Sequence, residues 1–389
     1  MQGGGRPRLI LDVSPVMDQP LTGVGYAALY LARAFLAKAR AFDVILFAAR
    51  ARHTPVSAFP FMEGYARKSV IPGFRRLKLA LWPRIEWPPI EWFAGRATLV
   101  HGLFHDLPAS RGALRVATIH DLSFLRFPET HTRETISAQS RLVEHCARRA
   151  DGLVTVSQCC KDEMVERYGF PEERVHVVPN GVSLEEFSAP VEQAVIENVK
   201  ARLGIHGSYF IYVGTLEPRK NIPRLIEAHA RLYARRGDCP QLLLVGKMGW
   251  KPELVTEALR KYAASGGVVH AGYLPREEMV QALKGAVACV YPSCYEGFGM
   301  PVLEAMAAGV PVLASRADAL MEVSGGTCMH VEADNEEALE LGIEALLDDR
   351  EGAMRLAEKG RLRAETMTWN RSADRLADVY RSIIEAGRR

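Results

Sequence analysis

Short runs of branched apolar residues recur along this chain, and a stretch with helical spacing follows most of them. That alternation limits the possible folds more than any other feature of the sequence. The runs fall at residues 9–13, 44–47, 116–119, 153–156 and 175–178, then at 210–213, 242–245, 287–291 and 310–314. They are continuous rather than alternating, so each reads as a strand buried on both faces, as in a parallel sheet. Helical patterns lie between them at 26–37, 135–150, 223–234 and 253–264. The order predicts an α/β chain. At 389 residues it is too long for one typical core. A composition break spans 188–207, where Phe187-Ser188-Ala189-Pro190 leaves the first unit. The expectation is two Rossmann-like, doubly wound domains facing a cleft, residues 1–187 and 188–367, followed by a C-terminal helix within 368–389.

Composition removes several function classes. A net charge of +3 gives no global case for a nucleic-acid partner. Seven cysteines is an odd number, Cys159 and Cys160 are adjacent, and no C-x-x-C spacing occurs, which fits a reducing cytoplasm without structural disulfides. The apolar run at 9–13 is too short for a signal core, and no stretch approaches the ~18 apolar residues that a membrane span needs. The expected location is cytoplasmic.

The richest local pattern is Glu296-Gly297-Phe298-Gly299-Met300-Pro301-Val302-Leu303-Glu304. It follows a strand-like run. Pro301 stands where a helix would begin and Gly309 where it would stop. A helix N-terminus with free N–H groups is an anion site. Carboxylates beside such a site suit the hydroxyls of a ribose or a sugar, so the pattern predicts a sugar nucleotide as ligand. A second candidate is Gly214-Thr215-Leu216-Glu217-Pro218-Arg219-Lys220-Asn221, also at a strand's carboxyl end. Bases at a helix start oppose the helix dipole. Arg219 and Lys220 are therefore expected to neutralise a diphosphate leaving group. Asn221 reads as the N-cap.

Three further features carry less. His120-Asp121 follows the strand-like run at 116–119, where a histidine can bond a sugar hydroxyl, shuttle a proton, or simply pack. Gly23-Val24-Gly25-Tyr26-Ala27-Ala28 matches a dinucleotide fingerprint, but the run before it ends near Val13, so a glycine loop facing the ligand fits better than bound NAD. Between Tyr65 and Ile85 stand six basic residues, Arg67, Lys68, Arg75, Arg76, Lys78 and Arg84, and no acidic one. Trp82, Trp87 and Trp92 follow closely. Such a mixture suits an anionic headgroup layer, although Pro83, Pro88 and Pro89 forbid one long amphipathic helix, and a loop-rich excursion with packed tryptophans is the plainer reading.

Taken together, these residues resemble a known family. Glu296 through Glu304 resembles the E-x7-E signature of retaining glycosyltransferases of the GT-B fold, the large family four group. Glu217-Pro218-Arg219-Lys220-Asn221 matches that group's E-P-R-K-[NG] segment. Thr118 through Phe124 and Phe127-Pro128-Glu129 are similar to its bacterial mannosyltransferase-like members, and Val154–Ser157, Val178–Val182 and Ala271–Pro275 fit in the same order.

The resemblance implies a role for each matching position. Lys220, aided by Arg219, would hold the donor diphosphate. Glu296 would contact the donor sugar, and Glu304 the ribose. Phe298, Gly299 and Met300 would offer backbone N–H groups, and the loop of Tyr273 and Leu274 would face the base. His120 would sit over the donor sugar, and Gly23 and Gly25 would form a mobile N-terminal loop. The last helix would pack back on the N-terminal, acceptor-binding domain, leaving the C-terminal domain to the nucleotide sugar. The implied activity is hexosyl transfer, with GDP-mannose favoured as donor and no cofactor or metal. The implied acceptor is a glycan, lipid-linked in surface polysaccharide or O-antigen assembly. That acceptor would give residues 67–92 a membrane to touch. Thr215 departs from the pattern, since many relatives carry an arginine there. A UDP-sugar donor, an epimerase on the same architecture and a non-catalytic glycolipid-binding protein are the alternatives.

Overall fold

The computed structural model describes residues 6–17, 20–50, 65, 67–262 and 265–387. The chain forms two compact units. Unit 1 comprises residues 1–126, 133–181 and 369–389, and unit 2 comprises 127–132 and 182–368. Relative to the expected break at 187/188, residues 182–187 go with unit 2. The short helix Leu184–Ser188 explains the difference: Phe187 is fully buried, and Glu186 is ion-paired within that unit.

Unit 1 is built on a parallel sheet of seven strands: β1 (Arg8–Asp12), β2 (Asp43–Arg50), β3 (Lys68–Pro72), β4 (Leu99–Gly102), β5 (Leu114–Ile119), β6 (Gly152–Thr155) and β7 (Val175–Val177). Their order across the sheet is β3-β2-β1-β4-β5-β6-β7. Unit 2 carries six: β8 (Tyr209–Val213), β9 (Gln241–Val245), β10 (Val268–Gly272), β11 (Ala288–Tyr291), β12 (Val312–Ser315) and β13 (Met329–Val331). Their order is β10-β9-β8-β11-β12-β13. Both sheets therefore follow one winding scheme. In each, the order reverses beside the first strand, between β1 and β4 and between β8 and β11. Such switch points are where open α/β sheets bind ligands, outside the strands' carboxyl ends.

The apolar runs form the strands because they are buried on both faces. Leu9 to Leu11 and Leu242 to Leu244 are essentially inaccessible. The final helix, Trp369–Ala386, follows unit 2 in sequence but belongs to unit 1. It packs on the helix Gly23–Lys38 through Tyr30 and Trp369, whose ring centroids lie 5.8 Å apart, and through a Lys38–Asp374 ion pair of 2.6 Å. Tyr380 from this helix is fully buried, edge-on to Phe35, with its hydroxyl 2.5 Å from His101 Nδ1.

Candidate functional site

The two strongest sequence candidates meet at the unit 2 switch point. The turn after β8 carries Glu217, Arg219 and Lys220, and the loop after β11 carries Ser293, Tyr295 and Glu296. Lys220 Nζ lies 2.5 Å from Glu296 Oε1 and donates to the Tyr291 hydroxyl at 3.0 Å. The Arg219 guanidinium reaches Glu296 Oε2 at 3.1 Å, the Tyr295 carbonyl at 2.6 Å and Glu217 Oε1 at 2.7 Å. All four charged side chains are buried. Two cations and two carboxylates make a neutral cluster in a site of low dielectric, where each interaction is strong.

The cluster's titration follows from this count. Burial works against the charge on Glu296, but two cations face it, and its pKa falls below the ordinary 4.5. Burial also works against Lys220, and the neighbouring Arg219 adds to it, so the ammonium's pKa falls below 10.5 despite Glu296. Glu217 is raised by burial, which Arg219 offsets only in part. An incoming polyanion would meet two preassembled cations whose present partners are carboxylates.

The helix Met300–Ala307 begins where Pro301 placed it. Gly299 is its N-cap with φ at +98°, a backbone conformation that strains any side chain, and a Cβ there would lie 2.4 Å from Leu320 Cδ2, so the turn strongly favours glycine. The N–H groups of Gly299 and Met300 have no carbonyl one turn back to take them. Glu304, one turn in, is buried and does not join the Lys220 cluster. Its Oε1 lies 2.7 Å from Arg276 Nη1. The Tyr273–Leu274 loop ends at Arg276, with Tyr273 exposed and Leu274 buried. Asn221 stands at the N-cap of the helix Ile222–Arg235, as expected, and its carbonyl accepts from Leu225 N at 3.2 Å, but its side chain does not cap. It sits at φ +59°, and its Nδ2 bonds the carbonyl of Ala333 at 2.7 Å. Asparagine tolerates that left-handed backbone, and the amide links the turn to a distant loop.

His120 stands in unit 1, just beyond β5. Its backbone N–H donates to His105 Nε2 at 2.9 Å, and its own Nε2 lies 3.1 Å from the Leu103 carbonyl. A carbonyl can only accept, so Nε2 carries the proton and Nδ1 keeps the lone pair. His105 Nε2 accepts, so its proton is on Nδ1, which donates to Gln139 Oε1 at 2.9 Å. Burial, with His105 alongside, drives the His120 pKa down to about 4. The ring is therefore neutral near pH 7, fit to accept a hydrogen bond through Nδ1 rather than to act as a cation. Asp121 caps the next turn, accepting from Ser123 N at 3.0 Å and Ser123 Oγ at 2.7 Å.

One expectation in unit 1 needs correction. Gly23 and Gly25 are not a loop. They form the first turn of the helix Gly23–Lys38, where Thr22 Oγ1 caps Gly25 N at 3.3 Å. The Thr-x-x capping geometry outweighs the glycines' freedom. The basic, tryptophan-rich stretch does not present one face. Lys78 and Trp82, both on the helix Arg75–Ile85, turn inward and are 1% exposed. Lys78 occupies the unit 1 switch point. Its ammonium bonds Asp12 at the end of β1, lies 2.6 Å from Asp106 beyond β4, and donates to Ser14 Oγ at 3.1 Å. The place equivalent to the Lys220 cluster is thus closed by a side chain. Its exposed large apolar residues are Leu77, Ile85, Trp87 and Trp92, at 49%, 60%, 45% and 57%, and Arg67, Arg76 and Arg84 are exposed with them.

The sequence reading missed Glu217, Arg276, Tyr291, His105 and Gln139. Only Glu217, inside the E-P-R-K-N segment, was visible as part of a pattern. Among the described residues, no helix is long and apolar enough to cross a membrane.

Comparison with known proteins agrees with the two-unit α/β fold. The family described as Glycosyl transferases group 1 matches residues 196–363, and Glycosyltransferase Family 4 matches residues 21–186. The O-antigen chain mannosyltransferase B of Escherichia coli is 28% identical over 285 residues, covering 73% of this chain and 74% of that protein. The MMP alpha-(1->4)-mannosyltransferase of Mycolicibacterium hassiacum is 33% identical over 299 residues, covering 71% and 67%. Among solved structures, the sucrose-phosphate synthase of Thermosynechococcus elongatus superposes with a TM-score of 0.76 over 98% of this chain and 100% of that one, at 21% identity. The shared architecture is the GT-B fold.

Proposed function

We propose that this chain, which belongs to the glycosyl transferases of group 1 and is a glycosyltransferase, moves a mannosyl group from GDP-mannose to a glycan acceptor with retention of configuration. The observation that carries this reading is the meeting of Lys220, Arg219 and Glu296 at the β8/β11 switch point, beside the start of the helix Met300–Ala307. Mannose is favoured because two relatives named above are mannosyltransferases.

In this reading the acceptor hydroxyl attacks the anomeric carbon from the face that the nucleotide leaves. The carbon–oxygen bond to the diphosphate breaks, and the departing phosphate oxygen takes the hydroxyl proton. Lys220, Arg219 and the N–H groups of Gly299 and Met300 stabilise the charge that develops on the diphosphate. Glu296 bonds the hydroxyls of the transferred sugar, Glu304 those of the ribose, and neutral His120 accepts from a sugar hydroxyl through Nδ1. Fixed cations supply the charge neutralisation, so the reading assigns no role to a metal or cofactor. Tyr273 and Leu274 lie along the base.

The test is a panel of GDP- and UDP-sugars scored by slow hydrolysis without acceptor. GDP-mannose is expected to turn over fastest. A UDP-sugar in first place replaces the donor assignment, free epimerised nucleotide points to an epimerase, and turnover of none overturns the reading.

The same reading places the acceptor on a lipid carrier and the chain at an anionic membrane surface of the cytoplasm. Its support is the helix Arg75–Ile85, which exposes Leu77 and Ile85 together with Arg76 and Arg84. Beside it, Trp87 and Trp92 stand 5.6 Å apart, with Arg111 5.5 Å from the Trp92 ring. Exposed tryptophans with flanking arginines suit the interfacial layer. Sedimentation with vesicles containing about one-third anionic lipid is expected to retain the protein, and the Trp87→Ser, Trp92→Ser variant is expected to lose about tenfold in binding. Equal retention of both forms would remove the membrane from the reading.

A further inference from the structure

Arg276 holds together two carboxylates from distant parts of unit 2. Its Nε and Nη2 donate to the two oxygens of Glu186 at 2.8 and 3.2 Å, as a fork, and its Nη1 lies 2.7 Å from Glu304 Oε1. Its guanidinium carbon stands 4.8 Å from the centre of the Phe187 ring. The planar fork and the ring leave the guanidinium little freedom. Arg276 is also the first residue of the helix Arg276–Lys284, directly after Tyr273-Leu274-Pro275. A cation at a helix start opposes the dipole, so its position needs compensation, and Glu186 and Glu304 provide it.

Glu304 gains from the same contact. Burial raises its pKa, and Arg276 is the group that opposes the rise. Nη1 lies against Oε1, so the ion pair restrains the carboxylate at that oxygen.

We propose that Arg276 is a positioning residue for ribose recognition: anchored by Glu186 and Phe187, it fixes Glu304 Oε1 and thereby aims Glu304 Oε2 at the ribose hydroxyls. The proposal rests on the reading of Glu304 as the ribose carboxylate. It ties the base loop and the ribose reader to one side chain, so that the nucleoside is read by a single braced assembly.

The test compares a nucleoside diphosphate with its 2′,3′-dideoxy counterpart by calorimetry, using whichever of GDP or UDP wild type binds more tightly. Wild type is expected to prefer the ribose form by about 10- to 100-fold, the usual range for hydrogen bonds to a charged group. Arg276→Ala is expected to cut that preference about tenfold while dideoxy binding, which depends on Lys220 and Arg219, changes by no more than about twofold. Arg276→Lys, which keeps the charge but cannot make the fork to Glu186 and reach Glu304 as well, is expected to retain only part of it. Dideoxy binding serves as the internal measure of folding, and should Arg276→Ala bind neither form, Arg276→Gln decides by the same ratio. An equal loss for both forms, no change, or a gain in ribose preference overturns the proposal. A preference that Glu304→Ala abolishes and Arg276→Ala keeps overturns Arg276 alone. No ribose preference in wild type overturns the reading of Glu304, and the proposal with it.

Discussion

Replacing Lys220 with alanine is expected to lower kcat for sugar transfer about 100- to 1,000-fold, the range seen when one preorganised donor to a developing anion is removed. The ammonium lies 2.5 Å from Glu296 and is fixed from another side by the Tyr291 hydroxyl at 3.0 Å. It is therefore in place before the donor arrives, and no reorganisation opposes its use at the moment of bond breaking. Arg219 remains in the variant and still faces Glu296 and Glu217. Nucleoside diphosphate affinity is accordingly expected to fall by only about tenfold, because a charge-assisted bond is lost from a site that keeps another cation. The loss falls more heavily on kcat because negative charge on the bridging oxygen grows in the transition state. Steady-state kinetics with saturating donor separates the two effects. A kcat within about threefold of wild type would show that leaving-group stabilisation lies elsewhere.

How much of this was legible in the sequence depends on what marked each residue. Strands buried on both faces, such as β1, β8 and β9, announce themselves because their interior positions must all be apolar. β3, β10 and β13 left no such run. They are sheet edges, and their residues are only partly buried. β4 is central, yet it has four residues and one is His101, whose polar ring is satisfied by Tyr380 and Thr118 rather than excluded. At the site, Lys220 and Glu296 were legible because residues that a helix start or an apolar strand end would disfavour need a reason to be there. Arg276 was not, since it reads as an ordinary polar helix start and its partners lie 90 positions before it, at Glu186, and later in the chain at Glu304. Lys78 was read with its basic neighbours because nothing local separates it from them. Only the tertiary fold brings Asp12 and Asp106 to it.

That buried lysine carries the largest expected effect on stability. Lys78→Ala would leave the carboxylates of Asp12 and Asp106 facing one another without a counter-ion, and removing one partner of a buried ion network costs about 3–5 kcal/mol. The loss should be confined to unit 1. Four of the five tryptophans, Trp82, Trp87, Trp92 and Trp369, lie in that unit, so the midpoint of fluorescence-detected denaturation is expected to fall. Nucleoside diphosphate binding, assigned to unit 2, should persist where unit 1 has already lost its structure. Charge rather than volume is the cause, so Lys78→Met combined with Asp12→Asn and Asp106→Asn is expected to recover most of the loss. The pH dependence has a definite sign. Burial opposes the ammonium, but Asp106 and Asp12 outweigh it and hold the Lys78 pKa above the ordinary 10.5. A folded-state pKa above the unfolded one means that this stabilisation is complete below about 10.5 and is lost as pH rises through the folded value. Wild type should thus lose unit 1 stability at strongly alkaline pH, and Lys78→Ala should lack that part of the decline. Equal midpoints for wild type and Lys78→Ala near pH 7 would mean that the switch point of unit 1 is held closed by its apolar packing, and that the charges there contribute nothing net.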